Sequence, residues 1–229
     1  MQDVAEMINR WKESQDESFR VVAFGSSNTE LSWWSNGRHN WVDWLYINFR
    51  ANIGRNVTVI NQGIGGDTTQ LLLNRIDRDV LSFGPSMVIV TIGGNDAAKG
   101  ISLEQYKENL ERICSIIQKN NALPVLQTYY CPIYEDGIEG FEKLFEGFVQ
   151  ANRDISKKLE LPLIDQYSNF EPFYRRHKED YKMIMRDWIH VNYLGNFLMG
   201  LNASKALGLP ELEVPEDIQD DVNFLLGKM

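Results

Sequence analysis

One stretch near the N-terminus decides the fold: Val21-Val22-Ala23-Phe24-Gly25-Ser26-Ser27-Asn28-Thr29. Its apolar run predicts a buried strand, a glycine ends the run, and two serine hydroxyls follow. In an open α/β sheet, ligands bind in the crevice at the carboxyl ends of the strands, so a hydroxyl here is placed for chemistry. Serine and asparagine are also favoured helix N-caps. Taken alone, the stretch fits a helix start better, and the rest of the sequence has to decide.

Hydrophobic periodicity beyond this stretch predicts strands that alternate with helices. Strands are predicted over 19–24, 57–60, 87–92, 125–129 and 161–164, and helices over 3–15, 42–53, 72–80, 103–117, 139–160, 191–201 and 218–226. The pattern is indistinct over 167–182. This alternation predicts an α/β fold, a three-layer α/β/α sandwich around a mainly parallel five-stranded sheet. We expect a single domain over 1–229, with an acidic tail from about 209 to 229.

Composition narrows the classes of partner. The 229 residues carry 23 Lys and Arg against 32 Asp and Glu, a net charge of −9 that argues against nucleic acid and anionic membranes. Cys114 and Cys131 lack metal-ligand spacing, which favours two reduced, packed thiols. The polar N-terminus has no apolar signal-peptide core, and no apolar run approaches a membrane span. We therefore expect a soluble cytoplasmic protein without a membrane anchor.

Small or polar residues follow each of the first three predicted strands, which should end at one edge of the sheet. The second of these loops, over 61–69, is rich in glycine. It lacks the dinucleotide pattern, because Thr68 stands where the third glycine is needed, and no Lys-Ser/Thr follows as in a P-loop. A tight turn and a backbone N–H aimed at a developing negative charge both stay open. Asn95 has the same two interpretations, as a turn residue or as an oxyanion donor.

The three histidines differ in what surrounds them. His190 follows Asp187 by three residues in one predicted loop, so this carboxylate can orient the imidazole of a general base. His177 lies in a charged run typical of a solvated face. His39 lies near the first strand end and could line a pocket. Together the strand ends and this loop supply the groups that a hydrolase site requires.

Four motif blocks occur in order and frame most of the chain. They are Gly25-Ser26-Ser27-Asn28-Thr29, Asn61-Gln62-Gly63-Ile64-Gly65-Gly66-Asp67-Thr68-Thr69, Gly93-Gly94-Asn95-Asp96 and Asp187-Trp188-Ile189-His190. This series resembles the SGNH, or GDSL-type, hydrolase family, and its glycine block is especially similar to that of platelet-activating-factor acetylhydrolase catalytic subunits. The resemblance implies the flavodoxin-like fold of that family.

The resemblance also implies a role for each block. Ser27 would be the nucleophile, His190 the general base and Asp187 the carboxylate that orients it. The oxyanion hole would combine the backbone N–H groups of Ser27 and Gly66 with the side-chain amide of Asn95. No metal or organic cofactor is implied, and the family's substrates are esters and thioesters, including acetylated sugars and lipids.

One position departs from the family pattern, because Ser26 stands where the family usually has aspartate. A hydroxyl accepts hydrogen bonds more weakly than a carboxylate does. The change is compatible with lower activity, with a separate subgroup, or with a protein that no longer catalyses.

A loop rich in aromatic residues follows the nucleophile. Its Trp33, Trp34, Arg38 and His39 are candidate substrate-binding residues that could stack on a sugar ring or wall an acyl pocket, although the aromatic residues could equally cap the core. We expect a serine esterase acting on a small-acyl, acetyl-type ester of a carbohydrate or similar small molecule. The alternatives are a lipolytic acylhydrolase or thioesterase on longer chains, a catalytically silent carbohydrate-binding module, and a nucleotide-binding flavodoxin-like protein.

Overall fold

A computed structural model describes residues 4–14, 16–30 and 37–229 of the chain. Its sheet contains the strands β1 Phe19–Gly25, β2 Val57–Gly63, β3 Met87–Thr91, β4 Leu123–Gln127 and β5 Leu163–Ile164. The strand order is β2-β1-β3-β4-β5, and every neighbouring pair is parallel. The predicted parallel five-stranded sheet is therefore confirmed.

Helices surround this sheet and fill its connections. They are α1 Val4–Glu13, α2 Trp41–Asn52, α3 Thr69–Asp79, α4 Gly94–Ala98, α5 Leu103–Lys119, α6 Phe141–Lys158, α7 Gln166–Arg176, α8 Lys178–Tyr181, α9 Tyr193–Ala206 and α10 Gln219–Leu226. The connection from β1 to β2 moves across the sheet in one direction, and the later connections move in the other. Because such connections are right-handed, α2 lies on one face of the sheet and α3, α5 and α6 lie on the other. Helix α9 packs beside α2. The predicted α/β/α sandwich results.

The position of β1 makes the carboxyl edge of the sheet a binding crevice. β1 pairs with β2 on one side and with β3 on the other, so the chain reverses its direction across the sheet at this strand. Ligands of open α/β sheets bind at such a switch point. Ser26 and Ser27 follow β1 at this crevice.

Two prolines account for two of the differences between the predicted and the observed elements, the late predicted start of β4 and the indistinct pattern over α7. β4 covers Leu123–Gln127 rather than 125–129, so it includes Pro124. The nitrogen of Pro124, which carries no hydrogen, faces the side of β5. Because β5 pairs with β4 only from Leu126 onwards, no hydrogen bond is lost there. The indistinct segment over 167–182 contains most of α7 and all of α8, and Pro172 inside α7 weakens its helical signal.

Candidate active site

The three residues predicted to form a catalytic triad lie within hydrogen-bond distance of one another. Ser27 Oγ is 3.0 Å from His190 Nε2, and His190 Nδ1 is 2.9 and 3.0 Å from the two carboxylate oxygens of Asp187. An ionised carboxylate only accepts hydrogen bonds, so Nδ1 carries the ring proton. The lone pair of Nε2 is then free to accept the proton of the Ser27 hydroxyl.

The carboxylate of Asp187 is held ionised by its own loop. Burial raises its pKa, but a hydrogen bond from Arg186, backbone N–H donation from Ile189 and the interaction with His190 outweigh burial and lower the pKa to about 2. The donors lie 2.8 Å away on Arg186 Nη2 and 3.0 Å away on the Ile189 amide. The Asp187 carboxylate therefore keeps the imidazole oriented across the neutral pH range.

The three predicted oxyanion donors, Ser27 among them, line one cavity. Gly66 has φ +83°, a left-handed conformation that favours glycine, and Asn95 Nδ2 donates one hydrogen to the Asp67 carbonyl at 2.9 Å. The second hydrogen of this amide is available to a ligand. The cavity has a volume of about 250 Å³, and its lining consists of Ser26, Ser27, Asn28, Gly66, Gly94, Asn95, Tyr129, Ile189 and His190.

The family model for the GDSL-like lipase/acylhydrolase family matches residues 23–196, a range that contains all three triad positions. The chain belongs to this family. The predicted class, a carboxylic ester hydrolase with a GDSL-type α/β fold, is thereby confirmed.

Curated relatives of this GDSL-family chain carry different descriptions. An uncharacterized lipoprotein of Bacillus subtilis (strain 168), YqeF, is 30% identical over 177 residues, which span 66% of this chain and 71% of the relative. The thioesterase 1/protease 1/lysophospholipase L1 of Escherichia coli (strain K12) is 28% identical over 107 residues. These residues span 47% of this chain and 49% of that protein. The predicted cytoplasmic location is not confirmed, because the Bacillus relative is described as a lipoprotein.

Solved structures share the fold at low sequence identity. An acetylxylan esterase from Geobacillus stearothermophilus superposes with a TM-score of 0.73 at 16% identity, covering 88% of this chain and 100% of that one. A second acetyl xylan esterase superposes with a TM-score of 0.71 at 20% identity, covering 82% of this chain and 99% of that one. At these identities the likeness establishes the fold.

A buried arginine that the sequence analysis missed joins the end of β1 to the loop that contains Gly66 and Asp67. Arg75 is 7% exposed, and its Nε donates to Asp67 Oδ2 at 2.7 Å. Its Nη2 donates to the carbonyls of Gly25 and Gln62, each at 3.0 Å. The signal was present, since Arg75 lies on the apolar face of α3 beside Leu72, where a charged residue is seldom buried without partners.

Tyr130, also missed, links the loop of Ser27 to the loop of His190. Its hydroxyl lies 2.6 Å from Asn28 Oδ1, 2.6 Å from the Ile189 carbonyl and 3.0 Å from the Val191 amide, which donates to it. The hydroxyl has one hydrogen, so it donates to one of the two oxygens at a time. Its ring is buried, and burial raises its pKa well above the ordinary value. No sequence pattern indicates that these distant segments meet at Tyr130, so its role could not be predicted.

A buried carboxylate fixes the loop of Asn95. Asp96 is inaccessible to solvent and accepts hydrogen bonds from the Thr69 amide at 3.0 Å and the Thr69 hydroxyl at 2.6 Å. Burial raises the pKa of Asp96, and the bonds from Thr69 partly oppose this rise. Asn95 and Asp96 lie in the short helix α4, where the sequence analysis predicted no helix. The start of α3 and the helix α4, which carries Asn95, are therefore held together.

The two adjacent serines have different surroundings. Ser26 is 1% exposed, and its Oγ lies 2.7 Å from the hydroxyl of Tyr129, which is itself buried. Ser27 is the more exposed of the two and faces His190. A neutral hydroxyl pair therefore occupies the place where the family usually has a carboxylate. Ser26 forms part of the cavity wall, and Ser27 lies beside His190.

The candidate substrate-binding residues fall into two groups. Trp33 and Trp34 lie outside the described residues. Arg38 and His39 line a second cavity of about 280 Å³ rather than the cavity that contains Ser27.

Groups associated with metal or redox chemistry are sparse in the described ranges. Within residues 4–14, 16–30 and 37–229, no cluster of three or more metal-ligating side chains occurs, and no helix is long and apolar enough to cross a membrane. Cys114 and Cys131 are both free and buried, and burial raises the pKa of each thiol to about 12. Neither thiol is therefore a nucleophile at neutral pH.

Proposed function

We propose that Ser27 is the nucleophile of a serine esterase that works through an acyl-enzyme. The observation that carries this proposal is the 3.0 Å contact between Ser27 Oγ and His190 Nε2, with Asp187 on the other ring nitrogen. A hydroxyl, an imidazole and a carboxylate in this order form the arrangement that activates serine for acyl transfer.

The reaction follows from the positions of these groups. Ser27 Oγ attacks the ester carbonyl as its proton moves to His190 Nε2, and Asp187 stabilises the imidazolium. The negative charge on the former carbonyl oxygen is accepted by the Ser27 and Gly66 amides and the Asn95 side chain. The alcohol leaves with the proton from His190. Water then attacks the acyl-enzyme with His190 again as the base, which releases the acid and restores Ser27.

The proposed substrate is a small-acyl ester, most simply an acetyl ester of a carbohydrate. Two observations support this choice. The cavity around Ser27 has a volume of about 250 Å³, and the buried side chains of Tyr129 and Ser26 form part of its wall. Two structures that share the fold are described as acetylxylan esterases.

A panel of p-nitrophenyl esters tests the acyl preference. With one chromogenic alcohol and acyl groups from acetyl to octanoyl, we expect kcat/KM to be highest for acetyl and to fall with chain length. Acetate release from acetylated xylo-oligosaccharides tests the alcohol. Ser27→Ala should be inactive on all of them. Octanoyl hydrolysis faster than acetyl hydrolysis would instead favour the lipolytic or thioesterase alternative, which the name of the Escherichia coli relative represents.

The proposal also includes independence from cofactors and a cytoplasmic location. We expect full esterase activity after dialysis against a chelator, because every proposed step uses side chains and backbone groups of the chain. Loss of activity that added metal restores would contradict this. Cell fractionation tests the location, and recovery with the membrane fraction would contradict it.

A further inference from the structure

We infer that the cavity lined by Arg38, Trp44, Tyr193 and Asp217 is a subsite for the sugar ring of the ester substrate. This inference rests on the proposed esterase function and names where the alcohol part binds. The cavity has a volume of about 280 Å³, similar to the 250 Å³ of the cavity that holds Ser27, and Pro215 and Ile218 complete its apolar wall.

The apolar part of this subsite is aromatic and is held in place. Trp44 packs edge-on against Phe197, with ring centroids 5.1 Å apart, and against His39 at 5.0 Å. Tyr193 is 37% exposed, although it is a large aromatic residue at the start of α9. The negatively polarised face of an aromatic ring attracts the C–H groups of a sugar, and a rigid ring loses little entropy when a ligand binds.

The polar part is an ion pair that carries no net charge. The guanidinium of Arg38 is hydrogen-bonded to the Asp217 carboxylate and lies 5.1 Å from the ring centroid of Tyr193. The two side chains are 49% and 55% exposed, so both heads remain accessible. Arg38 has further N–H donors and Asp217 has further acceptor positions. A neutral polyhydroxylated ligand, whose hydroxyl groups both donate and accept, fits this pair better than an anion or a cation does.

The fold places this subsite at the edge of the sheet that holds the triad. Tyr193 is the first residue of α9 and comes three residues after His190. Trp44 lies in the first turn of α2, and this turn is joined to the nucleophile loop because Trp41 Nε1 donates to the Asn28 carbonyl at 2.8 Å. Both walls therefore begin beside proposed catalytic residues, and in the proposed arrangement the acyl group of the substrate lies at Ser27 and its sugar ring in the subsite.

The test compares two acetyl esters that differ in their alcohol. A monoacetylated methyl glucoside carries a sugar ring, whereas the ethyl group of ethyl acetate is too small to occupy a second cavity. Tyr193→Ala and Asp217→Asn alter the subsite. Phe224→Ala removes another exposed aromatic ring, and Glu111→Gln removes one partner of another exposed ion pair. Acetate release is measured for all four variants, and circular dichroism checks their folding.

We expect Tyr193→Ala and Asp217→Asn each to lower kcat/KM for the sugar ester about five- to tenfold, mainly through KM, and to leave ethyl acetate hydrolysis within about twofold. The control variants should match the unaltered protein on both esters. An unchanged ratio of the two kcat/KM values in both folded subsite variants would overturn the subsite alone. If the unaltered protein hydrolysed neither the sugar ester nor ethyl acetate, the esterase proposal would be overturned and the subsite with it.

Discussion

Arg75 Nε donates to Asp67 Oδ2 at 2.7 Å in a part of the molecule almost closed to solvent. The carbonyl of the same Asp67 accepts the Asn95 amide at 2.9 Å, and Arg75 also binds the carbonyl of Gly25, the last residue of β1. One buried guanidinium thus connects the strand before Ser27 to the loop of Gly66, and Asp67 in that loop also binds the side chain of Asn95, so two of the proposed oxyanion donors share this support. Such support fixes donors before the reaction, and fixed donors need no reorganisation as charge develops.

Replacement of Arg75 should cost more stability than replacement of its exposed neighbour. Arg75→Met leaves the Asp67 carboxylate buried without its partner, which costs about 3–5 kcal/mol when a buried pair is broken. The matched control is Arg78→Met, because the Arg78 side chain is 75% exposed on the same helix. Urea unfolding measures both free energies. Equal stabilities of the two variants would contradict the structural role assigned to Arg75.

Loss of the Asn95 amide should slow catalysis without unfolding the protein. Asn95→Ala removes one oxyanion donor, and such losses cost about 10²–10³ in kcat. The control is Asn74→Ala, an exposed asparagine on α3. Steady-state hydrolysis of p-nitrophenyl acetate gives kcat for both. Turnover near that of the unaltered protein in folded Asn95→Ala would exclude the oxyanion role.

The low pKa of Asp187 predicts a pH dependence of stability. Its pKa is lowered from 3.8 to about 2 in the folded protein, so the ionised form adds stability that is present above the unfolded value and is lost as pH falls towards 2. Asp187→Asn should remove this contribution, so its melting temperature should fall less than that of the unaltered protein between about pH 5 and about pH 2.

We expect a small difference, because the Asp187 side chain is 37% exposed and solvent screens its interactions. The exposed Asp77→Asn serves as the control. Parallel melting curves for the unaltered protein and Asp187→Asn across this range would rule out a carboxylate with a lowered pKa.

The size of the Tyr129 ring should set the acyl length that the enzyme accepts. Tyr129 walls the cavity beside Ser26 and packs so closely on Gly94 that a Cβ there would lie 3.0 Å from the ring. Tyr129→Leu enlarges the cavity and should raise the butyryl-to-acetyl ratio of kcat/KM about tenfold, which is within the range for one or two methylenes. Tyr129→Phe keeps the ring and should leave the ratio unchanged. A shift of equal size in both variants would mean that the hydroxyl, not the ring, controls selectivity.

The sequence predicted those parts of the molecule that local patterns specify. Strand and helix alternation gave the parallel sheet, and the Asp187 to His190 spacing put base and carboxylate in one loop. The predicted start of β4 was too late because of Pro124. A strand can include a proline where no neighbouring strand needs its N–H, and the sequence alone does not show where β5 begins to pair. Several partners of Arg75 and Tyr130, such as the Gly25 and Ile189 carbonyls, belong to distant segments that only the folded chain brings within reach. The burial of Arg75 was nevertheless indicated by its position on the apolar face of α3.

The central claim is that Ser27, and not the adjacent Ser26, is the nucleophile. A fluorophosphonate probe followed by peptide mapping tests it most directly, with Ser27→Ala and Ser26→Ala as the paired variants. We predict that the probe labels Ser27 in the unaltered protein, that Ser27→Ala abolishes labelling and ester hydrolysis, and that Ser26→Ala retains both. Labelling that persists in Ser27→Ala and disappears in Ser26→Ala would contradict the assignment.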